Sequence, residues 1–100
     1  MDRKSFAERM HAALNDIEAR IQEVSHRLQH ADAQDETDRS VEQQIRDRSA
    51  ALHRKAEEVV ASSDSDWDEF VREMEEDFGA LNTLFKDWET SVDRRFSRSD

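Results

Sequence analysis

Two Glu-x-x-His motifs, Glu8/His11 and Glu23/His26, have the most catalytic-looking spacing in this 100-residue chain. On a helix such a motif sets a carboxylate and an imidazole side by side. A di-iron centre needs two of them on different helices, pointing inward and joined by two further Glu. Here both fall on one predicted helix, about 22 Å apart at 1.5 Å per residue, too far to share a metal pair. His26 and His30 are spaced so that both rings can meet one transition-metal ion on a helix surface. Without a fixed third ligand they read as solvated imidazoles near a helix carboxyl end, where positive charge is favourable. The sequence contains no nucleophile elbow, Gly-rich phosphate loop or paired carboxylates with a plausible cavity. These readings predict a non-enzyme with no catalytic residues, no cofactor, no functional metal and no small-molecule substrate.

Cysteine is absent, which excludes disulfides and thiolate metal sites. The net charge is −10, and residues 62–100 carry −7 of it, with eight acids and one Arg within 64–77. Affinity for phosphates rests on Lys and Arg displacing counterions, so this balance opposes nucleic acid and anionic lipid and leaves a basic partner open. Arg94, Arg95 and Arg98 are too few for a nucleic-acid tail and suit a helix carboxyl end. The start, Met-Asp-Arg-Lys-Ser-Phe, lacks the apolar core of a secretory signal, and no segment approaches a membrane span of about 20 apolar residues. The expectation is a cytoplasmic protein with no stable membrane insertion.

Zero Pro and one Gly in a chain that is 40% charged favour long helices, provided an apolar stripe gives them something to bury. That stripe is clearest at Trp67, Val71, Met74, Phe78, Leu81, Phe85, Trp88 and Val92, in alternating steps of four and three. Phe70 and Leu84 widen it, so this helix can meet two neighbours. An earlier stripe runs through Phe6, Met10, Leu14, Ile17, Ile21, Val24 and Leu28, and a weaker one through Val41, Ile45, Leu52, Ala56 and Val59. The heptad through Ile45, Leu52 and Val59 puts Arg48 and Lys55 at seam positions, where only their stems can cover apolar surface.

The predicted architecture is all-α, an up-down-up antiparallel three-helix coiled-coil bundle in one domain over 1–100, with helices at about 5–32, 39–61 and 65–97. Ser5 with Glu8 and Ser40 with Gln43 offer capping boxes, and Asp64 or Ser65 can cap the third helix. Turns are placed at about 33–38 and 62–65. The rival is one continuous helix over 5–61; its seam would place Asp35 and Glu42 where Leu14 and Leu28 sit. Gly79 lies off the seam and is expected to loosen its helix. The third helix is expected to overhang its neighbours near Phe96, which makes Phe85, Trp88, Val92 and Phe96 the predicted partner-binding surface.

The row 67–81, Trp-Asp-Glu-Phe-Val-Arg-Glu-Met-Glu-Glu-Asp-Phe-Gly-Ala-Leu, with Val-Asp-Arg-Arg-Phe further on, resembles a family of short bacterial coiled-coil proteins of about a hundred residues. Its members are labelled uncharacterised or stress-response proteins. Trp67, Asp68, Glu69, Phe70, Phe78, Leu81 and Phe96 carry the resemblance; Phe78 stands where the family's second Trp is usual, and Glu73 where a small residue is usual. The resemblance implies a helical, non-enzymatic, stress-linked protein. The function expected is therefore a protein-interaction or scaffold role, toward a protein partner or a second copy of the chain. The alternative is a lipid- or polymer-surface binder, phasin- or apolipoprotein-like, whose amphipathic helices open onto an apolar surface.

Overall fold

In a computed structural model that describes residues 2–32, 34–61 and 67–97, the chain forms three helices, α1 (Arg3–His30), α2 (Glu36–Ala61) and α3 (Trp67–Ser97). All three pack on one another as an up-down-up bundle measuring 54 × 20 × 18 Å. Cross-helix pairs fix the directions. Phe6 meets Trp67 and Phe70, and Arg27 meets Asp93, so α1 and α3 run parallel. His11 pairs with His53 and Gln22 with Arg46, while Asp38 pairs with Arg95 and Lys55 with Asp77, so α2 runs against both.

The core follows the expected stripes. Leu14, Ile21, Leu28, Ile45, Leu81, Phe85 and Val92 are fully enclosed. In α2 the second seam passes through Ser49 and Ala56, not through Arg48 and Lys55, which are exposed. A one-residue shift lets small side chains face the core and releases both cations to water, where their hydration is kept.

The helix ends differ from those expected. Asp2, not Ser5, caps α1: its Oδ1 accepts from the Ser5 amide at 2.7 Å, so the helix begins at Arg3. Asp35, not Ser40, caps α2. The Asp38 amide donates to Asp35 Oδ1 at 2.8 Å while the Asp35 amide donates to Asp38 Oδ2 at 3.2 Å, a reciprocal box built from two Asp. The first reversal thus falls between the end of α1 and the start of α2, and Asp32 there adopts a φ of 53°. The expected turn at 62–65, with Asp64 or Ser65 as cap, falls outside the described residues.

The earlier start of α2 shortens the expected overhang. At 28, 26 and 31 residues the helices span about 42, 39 and 46 Å. Phe96 is half-buried, with the Arg27 guanidinium 5.0 Å from its ring centre.

Candidate functional site

Three of the four residues expected to contact a partner lie inside the bundle. Phe85 and Val92 are fully buried and Trp88 is 5% exposed, while Phe96 is half-covered. Basic residues of α1 close this side: Arg20 lies 4.9 Å from the Phe85 ring and pairs with Glu89 at 3.3 Å, and Arg27 covers Phe96 and pairs with Asp93 at 3.0 Å. Each guanidinium thus lies over an aromatic ring and pairs with a carboxylate of the same helix.

A polar cluster joins α2 to α3. Asp38 is 4% exposed, and its carboxylate accepts from Trp88 Nε1 at 3.1 Å and from both terminal nitrogens of Arg95, at 2.9 and 2.6 Å. Burial on its own would raise the Asp38 pKa. The Arg95 hydrogen bonds, the Asp35 amide and the Trp88 indole outweigh it and hold the carboxyl at about 2. The same hydrogen bonds, donated by Arg95 to the Asp38 carboxylate, raise the Arg95 pKa. A forked guanidinium on a carboxylate, with an indole donor on one of the same oxygens, specifies angle as well as distance. The cluster therefore locks the register of α2 on α3.

Sequence reasoning assigned Arg95 to the helix dipole and Asp38 to a turn. The signal was present in the seams. One heptad before Ile45 is Asp38, and the alternation that reaches Trp88 and Val92 lands next on Arg95. Two charges of opposite sign thus continue the stripes of antiparallel helices.

A second polar cluster lies between α1 and α2. His11 and His53 meet Nδ1 to Nδ1 within hydrogen-bonding distance, their ring planes 13° apart. His53 Nε2 faces Glu18 Oε1 at 3.5 Å, and the Ser49 hydroxyl donates to that same oxygen at 2.8 Å. The two Glu-x-x-His motifs take no part as units: Glu8, Glu23 and His26 are exposed, and the His26 and His30 rings stack 5.8 Å apart on the outer face of α1. Among the described residues, no group of three or more His, Asp or Glu converges to cage a metal.

Two open grooves lie among the described residues. One of about 240 Å³ is lined by Arg48, Ala51, Leu52, Lys55, Asp77 and Ala80; another of about 290 Å³ is lined by Phe6, Arg9, Met10, Ala13, Glu75 and Phe78. Both are smaller than the enclosed clefts that hold drug-sized ligands. Around the second, Trp67, Phe70, Val71 and Phe78 are only partly buried. Asp68, Glu69, Glu73, Glu75, Glu76 and Asp77 are all exposed on the same stretch of α3. No helix among the described residues is long and apolar enough to cross a membrane. Compared with protein-family models, with curated proteins and with solved structures, the chain finds no match.

Proposed function

We propose that the protein is a non-enzymatic helical interaction or scaffold protein that acts through protein contacts, self-association included. The observation that carries this reading is the distribution of apolar surface. Val60, at 47%, is the exposed large aliphatic among the described residues, and of the partly buried apolar side chains Trp67, Phe70, Val71 and Phe78 form the densest run, with Val41, Leu84 and Phe96 elsewhere on the bundle. Helix packing takes up the rest, and open grooves suit a partner helix better than a small molecule. The acids of 68–77 beside those rings favour a partner face carrying Lys or Arg. A stress-linked role belongs to this proposal through the family resemblance alone, and a cytoplasmic location belongs to it as an expectation from the sequence.

The contact face we propose has moved from 85–96 to the opposite end of α3, because Arg20 and Arg27 cover the first. Absolute mass by light scattering across a concentration series tests self-association. The expected result is a concentration-dependent dimer that Phe78→Glu returns to monomer without loss of helicity. A monomer at every concentration overturns self-association, and a dimer unaffected by Phe78→Glu but abolished by Trp88→Ala returns the contact to 85–96.

The lipid- or polymer-surface reading requires the bundle to open. The thin α2 seam of Ser49 and Ala56 favours it, whereas the Asp38–Arg95–Trp88 cluster opposes it, since opening would break the cluster's hydrogen bonds at an apolar surface. Flotation with neutral lipid droplets would support that second reading.

A further inference from the structure

We propose that His11 and His53 form a two-imidazole site for a divalent transition-metal ion, zinc in the first instance, that clasps α1 to α2. The two rings come from different helices, are both half-buried, and bring Nδ1 to Nδ1. That approach allows only one proton between the two nitrogens, so at least one lone pair already points into the gap. Glu18 stands behind His53 at Nε2 and is itself held by the Ser49 hydroxyl. A carboxylate on the far nitrogen of a metal-binding imidazole keeps the proton there, leaves Nδ1 as the donor to the metal and raises its basicity. The arrangement crosses an interface, so binding would restrain two helices rather than one surface. His26 and His30 lack this property, because both are exposed on α1 alone.

The proton balance is simple. In the neutral pair His53 carries its proton on Nε2 and His11 carries its proton on Nδ1, donated to His53. For the ion to bind both Nδ1 atoms, the His11 proton leaves Nδ1 for water and another is taken up at Nε2, so no net proton is released. Zinc–nitrogen bonds of about 2.0–2.1 Å with tetrahedral angles need the two nitrogens about 3.3 Å apart. The rings must therefore spread from their present hydrogen bond, and each must turn so that its Nδ1 lone pair points at the ion instead of at the other nitrogen. Water completes the coordination, in keeping with the absence of a third converging ligand among the described residues.

Equilibrium dialysis of the whole chain against zinc alone should give one ion per chain. The melting temperature should rise by about 10 °C at free zinc a hundredfold above Kd, with no rise in magnesium. His11→Gln and His53→Gln should each weaken binding by at least about tenfold, and Glu18→Gln by about tenfold through loss of the positioning carboxylate. The double variant His26→Gln/His30→Gln should leave binding unchanged. A zinc titration of the wild type, followed by imidazole 15N shifts, reads the same site without any substitution and so stands even if a variant fails to fold. The proposal is overturned by the absence of saturable zinc binding, by binding that survives His53→Gln but is lost in the His26/His30 variant, or by Nδ1 resonances of His11 and His53 that do not move.

Discussion

At the scale of single residues, Asp38 is the side chain whose charge the fold depends on most. Burying a carboxylate is tolerable only because Arg95, Trp88 and the Asp35 amide satisfy it together. Asp38→Asn keeps an acceptor for Trp88 but turns an amide donor toward Arg95. With the Arg95 side chain 37% exposed, the loss should fall below the range for fully buried pairs, at about 2 kcal/mol. Melting of the variant at pH 7 should therefore come about 10 °C below wild type. The pH dependence has a definite sign. The folded pKa of about 2 lies below the value of about 3.9 for an unfolded Asp, so the unfolded chain binds the proton more tightly. The stabilisation is complete above about pH 4 and disappears as pH falls through about 2. The gap between wild type and Asp38→Asn should consequently narrow from pH 5 to pH 2; a gap that stays constant would show that the carboxylate charge is not what matters. Asp2, whose pKa the Ser5 amide lowers, acts with the same sign from a fully exposed position.

At the scale of elements, the stripes predicted every helix, and the errors lie where polar residues take unfamiliar roles. The familiar capping box is Ser with Glu or Gln three residues on; Asp2 with Ser5 and Asp35 with Asp38 depart from that pattern, so the true starts of α1 and α2 precede the expected ones. Those few residues decided how far α3 overhung its neighbours, and hence where an exposed face was expected. The buried pair stayed hidden because a charge at a seam position reads as an interruption unless its partner on the facing helix is known. The pairing of α1 histidines with α2 was equally out of reach, since a sequence places residues on faces but not faces on one another. Two positions still weaken the elements they occupy. Gly79 sits mid-helix, and a Cβ added there meets nothing within 4 Å. Gly79→Ala should thus stabilise the bundle by about 0.5–1 kcal/mol, read as a higher denaturant midpoint with an unchanged slope. Asp32, at φ 53° after α1, bears the opposite mismatch. Asp32→Gly should relieve the left-handed strain and also stabilise, by a few tenths to about 1 kcal/mol, whereas Asp32→Val should destabilise; equal effects of the two would contradict the αL assignment.

At the scale of the whole molecule, polar constraints and charge are distributed unequally along the bundle. The end containing the α1–α2 turn is fixed by Asp35, Asp38, Arg95 and Trp88 and covered by Arg27. At the other end, Phe6, Trp67 and Phe70 meet ring to ring, and six exposed acids follow on α3 within 68–77. Two electrostatic effects compete there. Lys55–Asp77 is an exposed pair with both side chains 49% accessible, so it contributes little and less in salt. Repulsion among the acids, within a net charge of −10, acts against the compact state and is screened by the same salt. Six like charges set against two cations, Arg72 and Lys55, should let the repulsive effect win. Raising sodium chloride from 20 to about 300 mM should therefore increase the melting temperature by a few degrees, the reverse of what a bundle held by surface ion pairs would do. Glu73→Gln/Glu76→Gln should reproduce part of that gain at low salt and reduce the further response. A fall in melting temperature with salt would mean that the Arg20, Arg27 and Arg95 pairs outweigh the acidic face. In that case the accumulation of charge on α3 would no longer indicate a stretch held at an energetic cost and relieved by a basic partner.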